Sequence, residues 1–447
     1  MASVTREGSR NALRALVLVV GVALCTSVFT VFVGWRAQHL VTEGSDPYGY
    51  VAMARGLLRG EGFSQYGSVL NRRGPLYPAF IALVYLIVGE RPVVMQLIQV
   101  AMMAAVCGLT FDIGRRLYNL RTGLIAGLVC ALNPVLLRYV ADFHVETFLV
   151  FLCTMALWRS VLLVEAPSAK NGALFGVAAA LGALAKPVVL AYPVVFVAWW
   201  LFVGWRARRR DDVPSGTKPP VSARRPPLLR QLPAQWTAAA SVFLAMAVVI
   251  LPWTYRNYRS SGHPVLITTG FGDAFLRGYI FSKTEYATLK LPPYTYAENE
   301  SNASFRALCK AAGTEWERND IESEQILTQE SKRKLLADPA LFVRKFVVQL
   351  FTFWYEMTSL VNSLVAGALA IVLWAFALVG LRRARELGRP AWPLLLPVLT
   401  LNLSLAVLLA LGRYSVPVLP ALTVLAALGV DALLEPRRTT SKEAEVT

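Results

Sequence analysis

Charged residues are scarce in this sequence: Asp, Glu, Lys and Arg make up 16% of its 447 residues, against 55% that are hydrophobic. A soluble chain of this length carries far more charge, so composition alone indicates a polytopic membrane protein. Histidine is rarer still, three in all, and with no second one near His144 a metal centre is not expected. Of the five cysteines, Cys25, Cys107, Cys130 and Cys153 lie in apolar runs and only Cys309 in a polar stretch. That distribution excludes a disulfide framework outside the membrane. The sequence also lacks a glycine-rich phosphate loop and any G-x-G-x-x-G, so whatever chemistry it performs needs no nucleotide-binding fold.

What is present is a series of apolar runs separated by short basic segments. A helix needs about 20 apolar residues to cross the hydrocarbon, and ten spans are read at residues 13–34, 93–114, 122–139, 147–165, 172–186, 188–204, 236–254, 360–381, 391–411 and 414–434. The first run is too long for the core of a signal peptide and has no small-residue cleavage site, so it is expected to remain as a span. With ten spans, "TREGSR", "GRRLYNLR", "SAKNG", "WRARRRDDVPSGTKPPVSARRPPLLR", "LRRARELGR" and "EPRRTTSK" all fall on one side, which the positive-inside rule makes cytoplasmic. The net charge of +17 is therefore read as topology, and no nucleic-acid partner is expected. Segment 205–230 has eight basic and two acidic residues, whereas 256–345 has thirteen basic and eleven acidic, a balance suited to the outer face. Two apolar stretches, 75–89 and 340–357, are read as helices on or dipping into the outer leaflet. The first is only fifteen residues long and the second carries Arg344 and Lys345.

The expected architecture is an all-α polytopic membrane protein of about ten transmembrane helices plus juxtamembrane helices on the outer face. Three regions are drawn: residues 1–255, a transmembrane catalytic module with outer loops at 35–92 and 140–146 and a cytoplasmic linker at 205–230; residues 256–359, a large outer region; and residues 360–447, the last spans and a cytoplasmic tail.

Reactive residues collect on the outer side of this scheme. Asp46, in "SDPYGY", opens an amphipathic pattern in which Tyr50, Ala54, Leu57 and Leu58 recur at helical spacing. It has a capping role available as well as a chemical one. Asp142, His144 and Glu146 lie where one span ends and the next begins. A carboxylate at the hydrocarbon centre costs about 2.5–3.5 kcal/mol and is a functional candidate, though less compellingly so near a helix end. Arg72, Arg73, Lys186, Arg256, Arg259 and Arg413 are cations on the wrong side for topology. Each alone fits snorkelling or headgroup contact; several converging would make a phosphate site. Together with the aromatics Tyr48, Tyr66, Tyr77 and Trp253, read as lining a lipid-facing surface, they suggest transfer of a sugar from a lipid phosphate. A carboxylate would then act as general base and cations would stabilise the departing phosphate.

The blocks "SDPYGYVAMARGLLRGEGF", "NRRGPLYPAFIALVYLIVGE", "NPVLLRYVADFHVETFLVFL", "LAKPVVL", "LPWTYRNYRSSGHPVLITTGFGDAFLRGY", "ADPALFVRKFVVQLFTFW" and "RYSVPVLPAL" resemble, in order and over nearly the whole chain, bacterial GT-C glycosyltransferases. The resemblance is to the protein O-mannosyltransferase-like, family 39 group, related to the aminoarabinose transferases that modify lipid A. It implies that Asp46 is the catalytic base and that Glu146 lies near the acceptor or supports that base, with Asp142 as an adjacent candidate. It also implies that Arg72 or Arg73, Lys186, and Arg413 with Tyr414 surround the donor phosphate; Arg256 and Asn257 match a block of less defined role. The expected partners are a polyprenyl-phosphate sugar donor, membrane lipids and an acceptor of unknown identity, with no cofactor. The expected location is the bacterial inner membrane, with both termini cytoplasmic and the active site outside. Inversion of the sugar's configuration is implied by analogy alone. The sequence departs from the family in having no Asp-Glu pair at Asp46 and no sugar-binding repeat domain in the outer region. A transporter or flippase, or a non-catalytic relative, is the alternative. The sequence shows none of the internal duplication common in transporters.

Overall fold

The computed structural model describes residues 2–36, 46–65, 68–69, 72–211, 232–282, 293–316 and 320–435. Tyr66, residues 212–231 of the basic linker region and the "EPRRTTSK" segment from residue 436 onward lie outside the described residues.

Helices dominate because apolar runs placed in lipid must satisfy their backbone groups internally. In chain order they are α1 (Ala2–Arg36), α2 (Asp46–Leu58), α3 (Leu76–Val88), α4 (Pro92–Leu117), α5 (Leu120–Ala131), α6 (Pro134–Leu137), α7 (Glu146–Glu165), α8 (Ala169–Ala185) and α9 (Ala191–Asp211). There follow α10 (Leu232–Ser261), α11 (Phe271–Phe281), α12 (Pro293–Ala311), α13 (Asp320–Ala337), α14 (Pro339–Tyr355), α15 (Leu360–Glu386), α16 (Trp392–Val407) and α17 (Leu419–Leu434). A two-stranded antiparallel hairpin, β1 (Ser64–Gln65) with β2 (Ser68–Val69), follows α2.

Among the described residues seven helices are long and apolar enough to cross a membrane, or eight if one bent pair is a single span. All ten spans read from the sequence coincide with helices, but three differ in form. The span at 122–139 is broken: α5 ends at Ala131, Asn133 caps the restart at Pro134, and the halves meet at 47°. Proline 134 cannot donate the backbone bond that would continue α5. The spans at 172–186 and 391–411 are the shorter helices α8 and α16. Helix α8 stops at Lys186 because Pro187 follows, and a 3-10 turn over Pro187–Leu190 leads into α9. The two stretches read as juxtamembrane are α3 and α14. On α14, Val343, Val347, Phe351 and Tyr355 are exposed at four-residue spacing while Lys345, Gln349 and Phe353 are buried, as an amphipathic helix requires.

The bundle has two chemically different ends. At one, Arg116 pairs with Glu165, Arg121 with Asp431 and Arg383 with Glu435. At the other lie the start of α2, the start of α7, the break after α8 and the 3-10 turn Gly412–Val418 ahead of α17. Helices α11 to α13 pack together over a small core of Leu276, Phe305 and Leu327.

Candidate active site

Asp46 is the first residue of α2, with Pro47 at the next position, where its fixed φ starts a helix and its missing N–H costs nothing. Both oxygens of its carboxylate are engaged. Oδ2 lies 2.7 Å from Nη1 of Arg413 and Oδ1 lies 3.2 Å from Nη2 of Arg73. The side chain is 38% exposed, so this ion pair opens to the surface instead of being sealed in the core. Desolvation alone would push the carboxyl up. Arg413 and Arg73, with a smaller contribution from His144, outweigh it and hold Asp46 far below the usual carboxylate range.

The chain makes room for Arg73 in two ways. Gly49, one turn along α2, has no side chain, and a Cβ there would stand 2.5 Å from the Arg73 Cζ. Gly74 brings the backbone against the end of α8, where a Cβ would lie 2.3 Å from the carbonyl oxygen of Leu184. Arg73 also lies over the Tyr50 ring, its Cζ 5.5 Å from the centroid. Arg72, its neighbour, goes elsewhere: its guanidinium stacks on Trp316 at 4.9 Å and donates to the Trp316 carbonyl. The sequence left Arg72 and Arg73 as equivalents; the structure brings Arg73 to Asp46 and sends Arg72 to Trp316, between α12 and α13.

Lys186, at the end of α8, places its ammonium 3.7 Å from the centre of the Tyr414 ring. Arg413 lies over the same ring at 5.1 Å. Among the described residues Lys186 has no carboxylate partner, and a cation on an aromatic face keeps its N–H donors available. Asp46, Arg73, Lys186, Arg413 and Tyr414 thus come together from four separate elements.

Asp142, His144 and Glu146 form the adjoining wall. Gln96 and Gln99 of α4 donate to the carbonyls of Ala141, Val140 and Asp142, pinning the turn ahead of α7. Oδ1 of Asp142 accepts the His144 backbone N–H at 2.9 Å and lies 2.8 Å from Nδ1 of its ring. Burial works against protonation of His144, but Asp142 overrides it and raises the imidazole's pKa. Asp142 therefore orients His144. Glu146 is 2% exposed and its Oε2 has no partner among the described residues; the same is true of the fully buried Tyr77 hydroxyl. Tyr77 was read as lipid-facing and is instead core, edge-on to Tyr50 and tilted against Phe148. Arg256 does not join Asp46: it lies over Trp253 at 4.7 Å and Phe63 at 5.5 Å. Among the described residues no group of three His, Cys, Asp or Glu is placed to hold a metal ion.

The sequence reading favoured hydrogen bonding over metal ligation for His144, in keeping with its contact with Asp142; it took Tyr50 only as part of a helical pattern and missed Gly49 and the α4 glutamines. The "Q" at 96 and 99 inside an apolar span was the available signal, since an uncharged polar side chain in a span needs a partner.

Residues 72–215 match the family model described as dolichyl-phosphate-mannose-protein mannosyltransferase. That segment holds Arg73, Asp142, Glu146 and Lys186, while Asp46 and Arg413 lie outside it. No curated protein sequence matches the chain. Among solved structures, the oligosaccharyltransferase AglB of Archaeoglobus fulgidus, in complex with an inhibitory peptide and a dolichol-phosphate, matches with a TM-score of 0.56 at 15% identity. That match covers 94% of this chain and 50% of AglB. The apo form of the Archaeoglobus fulgidus oligosaccharyltransferase matches with the same TM-score and coverage at 14% identity. ArnT of Cupriavidus metallidurans bound to undecaprenyl phosphate matches at 15% identity over 93% of this chain and 77% of ArnT, with a TM-score of 0.43. The chain thus spans about half the length of AglB, and at these identities the likeness is one of fold. The protein is a multi-span helical membrane protein with a GT-C-type fold, and over residues 72–215 it is similar to the dolichyl-phosphate-mannose-protein mannosyltransferase family model.

Proposed function

We propose that this protein is an inverting glycosyltransferase that moves a sugar from a polyprenyl-phosphate donor to an acceptor hydroxyl on the outer face of the bacterial cytoplasmic membrane. The observation that carries the reading is the Asp46 carboxylate held between Arg73 and Arg413, with Lys186 alongside. Two guanidinium groups and an ammonium gathered at one place are the donors a phosphate takes. The family match, and the dolichol-phosphate bound by AglB, agree with a polyprenyl-phosphate donor. The gathering of basic residues at the opposite end of the bundle agrees with an outward-facing site.

In the proposed reaction the acceptor O–H gives its proton to Asp46 while its oxygen bonds to the anomeric carbon. The bond from that carbon to the phosphate oxygen breaks, and its electron pair remains on the phosphate. Arg413, Arg73 and Lys186 stabilise the charge that grows there. A single displacement inverts the anomeric centre. Glu146, whose buried Oε2 lacks a partner among the described residues, borders the site and is assigned a supporting role toward the acceptor. Asp142 keeps His144 turned toward the site.

The test is release of polyprenyl phosphate by purified protein in nanodiscs, offered a panel of polyprenyl-phosphate sugars and envelope extract. Wild type is expected to turn over one of them, and Asp46→Asn to lose about 10²–10⁴ of the rate while still binding donor. Equal turnover by both forms would remove Asp46 from the reaction. Transport of the donor without release would favour a flippase.

A further inference from the structure

The phosphate-binding cations and the base of the proposed reaction are, in this structure, bonded to each other. Each Asp46 oxygen faces one guanidinium, so both atoms that could take the acceptor's proton are engaged by cations that weaken their basicity. The two partners also differ in freedom. Arg73 is fitted over Gly49, and its loop is fixed where Gly74 meets the α8 carbonyls of Leu184 and Ala185. Arg413 is stacked on Tyr414, which in turn carries Lys186. Asp46 ends a short side chain with two rotatable bonds, in the first turn of a helix and partly exposed. The cations are the built part of this arrangement and the carboxylate is the part able to leave.

We infer that Asp46 occupies the phosphate seat between Arg73 and Arg413 as an internal substitute, and that the donor phosphate displaces it and thereby frees it to act as a base. This rests on the reading of the protein as a polyprenyl-phosphate glycosyltransferase. A phosphate presents oxygens to both guanidinium forks and to the Lys186 ammonium, more acceptor atoms than a carboxylate has. Once it is seated, Asp46 loses its counter-charges while staying next to the anion, and both changes favour its taking a proton. The site is then competent only when loaded. With no donor bound, the carboxylate is held too firmly to activate a stray water or alcohol.

The consequence is an inverted order of affinities. If carboxylate and phosphate compete for the same guanidiniums, removing the carboxylate must tighten phosphate binding. Full-length protein in nanodiscs of neutral lipid is titrated with a polyprenyl monophosphate, with inorganic phosphate in parallel. Asp46→Asn and Asp46→Ala are each expected to bind polyprenyl monophosphate about tenfold more tightly than wild type. Adding Arg413→Gln to Asp46→Asn is expected to cancel the gain. Thermal unfolding of each variant checks that it is folded. Binding by both Asp46 variants that is equal to or weaker than wild type overturns the substitute-ligand proposal and leaves the transferase reading standing. A gain with inorganic phosphate but not with the lipid overturns the link to the donor. Absence of polyprenyl phosphate binding in every folded form overturns the transferase reading as well.

Discussion

A carboxylate between two guanidiniums keeps its charge at a pH where a free one is half protonated. Asp46 faces Arg413, Arg73 and His144, with Tyr50 and Glu146 close enough to feel the same charges. Its folded pKa is depressed, so the group stays ionised above that value and is protonated only as pH falls through it. The acid limb of kcat/KM, which reports the free enzyme, is therefore expected well below the ordinary carboxylate range. Arg413→Gln removes one cation, raises the carboxyl and moves that limb upward, as a pH series of initial rates would read. The convergence of Asp46, Lys186 and Arg413 was legible because each is a charge beside an apolar run where the topology read from the sequence does not call for one. The choice between Arg72 and Arg73 was not legible, because two like residues in succession differ only in the direction the folded loop gives them.

Elements bring these residues together, and two glycines separate assembly from stability. A methyl at position 74 would meet the backbone carbonyls of Leu184 and Ala185, which cannot move without shifting the end of α8. Gly74→Ala is expected to lower stability by about 1–3 kcal/mol, seen as a drop in Tm. At position 49 the three atoms nearest the methyl all belong to the flexible end of Arg73. Gly49→Ala is expected to leave Tm near wild type and to raise the donor KM. On α14, fully buried Lys345 donates to the Val407 carbonyl at the end of α16, and burial pushes its amine down to about 7. Between that value and the ordinary lysine range near 10.4 the unfolded chain holds a proton that the folded one does not, so stability rises with pH. Lys345→Met is expected to flatten that rise in thermal unfolding measured from pH 7 to 10. The helices themselves were readable from apolar run length. The 47° break at Asn133-Pro134 was passed over because the apolar run continues across it; the proline, not the hydropathy, marked it.

For the molecule as a whole, parity of spans and placement of arginines make one claim about sidedness. In a background with the native cysteines replaced, Thr358→Cys is expected to react with an impermeant thiol reagent on intact cells. Arg389→Cys is expected to react only after permeabilisation; both positions are exposed in the fold. Labelling of Arg389→Cys from outside with Thr358→Cys protected would reverse the outer-face assignment. The two stretches read as lying on or dipping into the outer leaflet are helices, α3 and the amphipathic α14, each too short or too charged for a full span. The sequence pattern could not foresee that Arg72 and Arg73 part company. Arg72 grips Trp316 and, one peptide bond later, Arg73 grips Asp46. That peptide joins contacts on two different parts of the protein, and Gly74 beside it is held against the end of α8. Trp316→Ala takes away the ring under Arg72 and is accordingly expected to raise the donor KM, in the same direction as Gly49→Ala. The partner of Asp46 is thus a covalent neighbour of a residue anchored on another part of the chain.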